Sequence, residues 1–223
     1  MRKEKEGQRK LTEAEQARKL EFERTKEELF AKGYEEHDLT MGVVFANVMA
    51  IFLCIPLILP FLYAFALKNP NAPMGLSFRL ASDSIGAGVL GLGLFFIGFI
   101  LLISLHELIH GIFGALFAKE GWKSVSFGFI AKYLTPYCHC KEPLKKAQYL
   151  VVVLMPTLLL GVLPALVAIF LGNSTLLNIG ILMIFAGGGD LLITLKLLFF
   201  RSTAQEQLIL DHPYQLGLAI FTR

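Results

Sequence analysis

Two histidines and a glutamate occur at the spacing of a zinc-binding helix in the segment His106-Glu107-Leu108-Ile109-His110. Side chains four residues apart lie on one face of an α-helix, so His106 and His110 can bind a single Zn²⁺. Glu107 lies beside that face, where it can take a proton from a metal-bound water and return it to the leaving amine. This HExxH pattern predicts hydrolysis at zinc, with Glu107 as the catalytic base.

The motif lies within an apolar stretch, between Ile103 and Phe117. An ionisable side chain is costly inside a membrane, and its presence there is by default a sign of a functional site. Two other interpretations are a buried hydrogen-bonded cluster and the lining of a channel.

Zinc in a catalytic site needs a third protein ligand and an open position for water. Outside the first forty residues, the other His and acidic residues are Asp83, Glu120, His139, Glu142, Asp190, Glu206, Asp211 and His212. Asp190 is the one that lies well inside another apolar stretch. It precedes Arg201 by eleven residues, while His106 and His110 precede Lys119 by thirteen and nine. If both helices run in the same direction, all three side chains lie at a similar depth, about 15 to 20 Å from the flank.

Asp190 is therefore the predicted third ligand, and the alternative is an aspartate that bonds to the backbone around a kink. A rival source of ligands is Cys138-His139-Cys140. Alternate residues of a strand point to opposite faces, so one strand cannot aim all three side chains at one ion.

The composition favours a membrane protein, since 55% of the residues are hydrophobic and the mean hydropathy is +0.60. Four apolar stretches, each long enough to span a bilayer, cover residues 41–67, 85–118, 144–171 and 176–200. The first carries two prolines, which membrane helices tolerate. The third is interrupted by Pro156, Gly161 and Pro164, and the fourth by Gly187-Gly188-Gly189-Asp190. The segment 124–140 between the second and third stretches is patterned in part like β-strands. We therefore expect an all-α membrane protein of about four transmembrane helices, with a short strand-like insert between helices two and three.

Charge divides the chain into three predicted parts. Residues 1–40 hold ten Lys or Arg and eleven Asp or Glu, and a capping box at Thr12 and Glu15 predicts a charged helix over residues 11–32. The four-helix transmembrane metalloprotease-like domain is predicted at 41–200, and a tail at 201–223. The segment 1–40 is near neutral overall, and no basic patch with interleaved aromatic residues follows it, which excludes nucleic acid as a partner.

Lys and Arg in the short loops predict the orientation. Their numbers in successive polar segments are ten in 1–40, two in 68–84, six in 119–146, none around Asn173 and two after Phe200. This alternation predicts a multi-pass protein of the cell membrane with both termini in the cytoplasm. The second and fourth helices then both run inward.

The chain also resembles a known family. The segments His106-Glu107-Leu108-Ile109-His110-Gly111, Thr135-Pro136-Tyr137-Cys138, Pro156, Gly189-Asp190 and Leu210-Asp211-His212-Pro213 look like the DUF3267 family of putative zincin peptidases. That family is similar to the site-2 intramembrane metalloproteases, in which a His-Glu-x-x-His helix and an Asp from a later helix hold zinc. The resemblance implies that His106, His110 and Asp190 are the ligands and Glu107 is the base.

The expected function is that of a membrane-embedded zinc metalloprotease. It would hydrolyse peptide bonds of membrane-associated protein or peptide substrates, within the lipid bilayer, by a Glu-assisted zinc-bound water. The alternative is a zinc-binding membrane protein without proteolysis, either a metal transporter or a regulatory scaffold. Transport or scaffolding has no special need for a base beside the metal, so Glu107 distinguishes the two classes.

Overall fold

The computed structural model describes residues 12–72, 85–130 and 135–223. In chain order its elements are α1 (Glu13–Ala31), β1 (Glu35–Asp38), α2 (Val43–Lys68), α3 (Ile85–Phe117), a 3-10 turn (Gly121–Ser124), β2 (Val125–Ile130), β3 (Thr135–Cys140), β4 (Leu144–Lys145), α4 (Lys146–Pro156), a π-helical segment (Thr157–Val162), α5 (Leu163–Leu171), α6 (Ser174–Ala186), α7 (Gly188–Phe199), β5 (Gln207–Asp211) and β6 (Leu218–Thr222). Leu11, Asp83 and residues 131–134, which carry some of the predictions above, lie outside the described residues.

The apolar stretches form helices long and apolar enough to cross a membrane. Three such helices cover Val43–Lys68, Gly88–Phe117 and Lys146–Leu171, where the last comprises α4, the π-helical segment and α5. The pair Ser174–Ala186 and Gly188–Phe199 makes a fourth if it is counted as one span bent by 51°. The interruptions predicted in the third and fourth stretches therefore become a π-helical segment after Pro156 and a bend at Gly187.

The charged helix α1 begins with the predicted capping box. The Thr12 hydroxyl accepts a hydrogen bond from the Glu15 backbone N–H, and the Glu15 carboxylate accepts one from the Thr12 N–H. Phe22 and Leu29 of this helix are buried against Phe221 of β6. The helix therefore packs on a sheet by a narrow apolar stripe.

The prediction of an all-α fold is wrong in one respect, because the described residues also contain two antiparallel sheets. The predicted strand-like insert is a hairpin of β2 and β3, in which Val125 pairs with Cys140. A second sheet, of order β1-β6-β5-β4, joins the amino-terminal segment, the carboxyl-terminal tail and the segment before α4. Its strands are short, and β1 has the sequence Glu-Glu-His-Asp, so only pairing with distant strands such as β6 makes it extended.

The sheet joins the helices in one core. Leu144, Ile209 and Ile220 of the sheet are buried with Val152 of α4 and Leu197 of α7. The sheet thus packs against α4 and against the carboxyl-terminal part of α7. Both helices extend from this core to the candidate site.

Glycines at the bend between α6 and α7 bring α7 close to its neighbours. A Cβ added at Gly187 would collide with Oγ1 of Thr157, and one added at Gly188 would lie 2.9 Å from Cβ of Ala50 and 3.1 Å from Sγ of Cys54. A Cβ at Gly189 would meet nothing within 4 Å. Two of the three glycines are therefore required by packing, and the third is not.

This difference predicts the effect of two alanine substitutions in one helix. We expect Gly188→Ala to destabilise the protein by about 1–3 kcal/mol, because the methyl group overpacks against the α2 backbone and Ala50. Gly189→Ala, the matched control, should be neutral or stabilise α7 by up to about 1 kcal/mol. Thermal unfolding of the two variants in detergent measures this, and equal losses of melting temperature in both would contradict the packing argument.

Candidate metal centre

Two helices bring the three predicted ligands together. His106 and His110 lie one turn apart on α3, and Asp190 is the third residue of α7, directly after the bend. The Asp190 Oδ2 atom lies 3.0 Å from Nε2 of His106 and 3.4 Å from Nε2 of His110. One ligand atom from each of the three residues lies within 4.8 Å of the other two. Residues 84 positions apart in sequence thus meet at one point.

The site is largely shielded from the surroundings. The side chains of His106, His110 and Asp190 are 6%, 13% and 19% exposed. The two imidazole rings stand nearly perpendicular, with centroids 4.9 Å apart and an angle of 79° between their planes. Both rings therefore direct Nε2 towards the same carboxylate oxygen from different sides.

The three residues fit a catalytic zinc ion by chemistry and by spacing. Two imidazoles and one carboxylate are a common ligand set of zinc hydrolases, which leave a fourth position open. Tetrahedral zinc with bonds of about 2.0–2.1 Å separates its ligand atoms by about 3.3 Å. The separations of 3.0 and 3.4 Å are close to this value. His106, His110 and Asp190 can therefore hold zinc with little rearrangement.

A backbone carbonyl orients His110. Nδ1 of His110 lies 2.9 Å from the carbonyl oxygen of Val152 in α4. A carbonyl only accepts, so Nδ1 carries the hydrogen and donates it. Nε2 is then the atom available to a metal, and a ligating histidine commonly donates its other ring nitrogen in this way. Val152 is a site residue that sequence analysis missed.

Glu107 lies between the two histidines in sequence and is partly buried. Its carboxylate accepts a hydrogen bond from the backbone N–H of Cys138 in β3. A carboxylate beside imidazoles that can bind a metal is in the position that a general base needs. The hairpin strand β3 therefore borders the predicted base.

Glycines of α3 let this hairpin approach the helix that carries His106 and His110. A Cβ added at Gly111, directly after His110, would collide with the ring of Phe127. A Cβ at Gly114 would lie 3.7 Å from Val125. The hairpin thus packs on α3 one turn beyond the histidines, and this contact holds β3 beside Glu107.

The rival Cys-His-Cys segment lies elsewhere. Among the described residues, the group able to hold a metal contains none of Cys138, His139 and Cys140. Nδ1 of His139 instead lies 3.5 Å from Oδ2 of Asp211 in the tail. The three residues are part of β3, and the Cys138 backbone N–H donates to Glu107.

Asp211 of β5 holds β3 in place through a network of polar contacts. Asp211 accepts hydrogen bonds from the Tyr149 hydroxyl at 2.5 Å and the Cys140 backbone N–H at 3.3 Å. Burial acts to raise the pKa of the Asp211 carboxyl, but the contacts with His139, Tyr149 and Cys140 outweigh it, and the pKa lies below its usual range. Asp211 therefore stays ionised and ties β5, α4 and β3 together. Asp211 was among the candidate ligands in the sequence, and no local pattern indicates this structural role.

Two other acidic candidates, Glu142 and Glu206, have partners outside the metal centre. The Glu142 carboxylate accepts hydrogen bonds from the backbone N–H groups of Lys119 and Glu120, both at 2.9 Å, and from the Ser124 hydroxyl. Glu206 pairs with Arg223 at 2.8 Å. Burial opposes ionisation of Glu142, yet these hydrogen bonds keep the pKa of its carboxyl below the usual range. Glu142 thus joins the segment after β3 to the segment after α3, and Glu206 pairs within the tail.

Comparison with known proteins agrees with the composition of the site. No curated protein and no solved structure matches the chain. The model of the DUF3267 family, described as "putative zincin peptidase", matches residues 99–205. This segment runs from the middle of α3 to beyond α7 and includes His106, Glu107, His110 and Asp190. The family description supports a zinc metallopeptidase in general. Residues 99–205, which include the whole candidate metal centre, are thus similar to the DUF3267 family.

Proposed function

We propose that the protein is a membrane-embedded zinc metallopeptidase that hydrolyses peptide bonds of membrane-associated proteins or peptides. The observation that carries the proposal is the meeting of His106, His110 and Asp190 within 4.8 Å beside Glu107. Two imidazoles, a carboxylate and an adjacent base are the parts that hydrolysis at zinc requires.

Each residue has a distinct role in this proposal. His106, His110 and Asp190 hold the ion, and the Val152 carbonyl keeps His110 in the tautomer that exposes Nε2. Zinc, when bound, supplies a Lewis acid that polarises the scissile carbonyl and lowers the pKa of water to about 7. Glu107 accepts a proton from the attacking water and then donates it to the leaving amine. The Cys138 N–H fixes the Glu107 carboxylate for both transfers.

The surface of the helices supports a location in the bilayer. Large apolar side chains cover the outer faces of α2 and α3, where Phe52 and Leu101 are each 63% exposed. A continuous apolar surface of this kind is unfavourable in water and favourable in lipid. The three or four membrane-length helices would bury it there.

Sheet pairing supports the proposed orientation, with both termini in the cytoplasm. The sheet β1-β6-β5-β4 unites the segment before α2, the tail after α7 and the segment before α4. Strands that pair must lie on the same side of a membrane, because an open sheet edge is not tolerated inside it. The segments with the largest numbers of Lys and Arg are among those united, which agrees with a cytoplasmic location.

The test uses the full chain purified in detergent. We expect about one zinc per chain by elemental analysis, and cleavage of some members of a library of single-span membrane proteins by mass spectrometry. Removal of the metal by a chelator should abolish cleavage, and zinc should restore it. Stoichiometric zinc without cleavage of any member, together with zinc flux in vesicles, would favour the transporter instead. A chain that binds no zinc would contradict both.

A further inference from the structure

We infer that Pro156 is a positioning residue of the metal centre, because it leaves the Val152 carbonyl free for His110. The inference rests on the proposed function, since it concerns how tightly His110 binds zinc. Pro156 does not touch the ligands itself, and it acts through the backbone of its own helix.

In a regular α-helix the carbonyl of residue 152 would accept a hydrogen bond from the N–H of residue 156. Residue 156 is a proline, which has no N–H, so the Val152 carbonyl has lost that partner. The backbone N–H of the next residue, Thr157, donates to the carbonyl of Leu154 and not to that of Val152.

The Val152 carbonyl lies in the interior of the membrane-length helix Lys146–Leu171, and Val152 is 7% exposed. An unsatisfied carbonyl in such a place costs free energy, so it needs a donor from another element. Nδ1 of His110, 2.9 Å away on α3, provides that donor.

The hydrogen bond to the Val152 carbonyl fixes the His110 ring and its tautomer, so Nε2 of His110 faces Asp190 Oδ2 at 3.4 Å. In the part of the chain that the structure describes, Nδ1 of His106 has no such partner. The hydrogen bond from outside the ligand set therefore acts on His110 specifically, and the sequence feature that permits it is Pro156.

The experiment compares two prolines of one helix. Pro156→Ala restores an N–H that competes with His110 for the Val152 carbonyl. Pro164→Ala, the control, restores an N–H eight residues further on, which would pair with the carbonyl of Leu160, about 12 Å along the helix from Val152. Both full-length variants are titrated with zinc against a competing chelator, and their melting temperatures are measured without metal.

We expect Pro156→Ala to weaken zinc binding about 10- to 100-fold, the usual effect of removing a group that orients a ligand. Pro156 is fully buried and its substitution also removes packing, so zinc affinity is measured below the metal-free melting temperature of each variant. Pro164→Ala should bind zinc like the wild type. Unchanged affinity in Pro156→Ala, or equal weakening in both variants, would overturn the inference. A wild-type chain without zinc would instead contradict the proposed function.

If Pro156→Ala does not fold, the wild-type protein decides the question. Nitrogen-15 shifts of the histidine side chains in the zinc-loaded protein identify the metal-bound atom of His110. Zinc on Nε2 with the hydrogen on Nδ1 supports the inference, and zinc on Nδ1 overturns it.

Discussion

Glu107→Gln should abolish peptide hydrolysis and leave zinc bound. Glutamine has the size of glutamate and keeps an oxygen that can accept from the Cys138 N–H, so the site should retain its shape. It cannot take a proton from water at neutral pH, so the loss is confined to proton transfer. General acid–base catalysis contributes about 10²–10⁴-fold, and we expect the cleavage rate to fall by at least that factor.

The measurement is cleavage of one identified substrate, together with zinc content, for wild type and variant. Glu120→Gln is the matched control, because Glu120 is an exposed glutamate shortly after the end of the same helix. It should cleave at the wild-type rate. Undiminished cleavage by Glu107→Gln with stoichiometric zinc would rule out Glu107 as the base. Zinc flux that survives the same substitution would favour transport.

Asp190→Ala should weaken zinc binding by more than the 10- to 100-fold that loss of an orienting group causes. The substitution removes the oxygen that lies 3.0 and 3.4 Å from the two Nε2 atoms. Two imidazoles then remain, one protein ligand fewer than catalytic zinc sites have. Cleavage should fall with the zinc content and recover only partly at high zinc concentration.

Asp211→Asn is the control for Asp190→Ala. Asp211 is also an aspartate beside a histidine, at 3.5 Å from His139, but it lies outside the group of possible ligands. Its substitution should leave zinc affinity unchanged.

The pKa of Asp211 is lower in the folded chain than in the unfolded one, so its charge stabilises the fold at neutral pH. This stabilisation is lost as the pH falls through the folded pKa, below about pH 4. Asp211→Asn should therefore have a lower melting temperature than the wild type at pH 7. Its melting temperature should also change less when the pH is lowered. Zinc affinity that drops equally in both variants would show that general destabilisation, and not ligation, explains the effect of Asp190→Ala.

Sequence patterns that span only a few residues were sufficient to predict the half of the metal centre that lies on α3. The spacing of His106 and His110 determines that they share a helix face, because helix geometry is local. The lengths of the apolar stretches likewise predicted the helices, and Pro156 and the glycines before Asp190 predicted where they are interrupted. The predicted depth of Asp190 followed from the rise per residue and the charged flanks.

The other half depends on contacts between distant residues, which no local pattern contains. Depth along a helix leaves its rotation and its neighbours open, so only packing through Gly187 and Gly188 brings Asp190 to the histidines. The Val152 carbonyl could have been suspected from the proline four residues later, but its partner His110 lies on another helix. The second sheet was missed for the same reason, since β1 is extended only because it pairs with β6 at the other end of the chain.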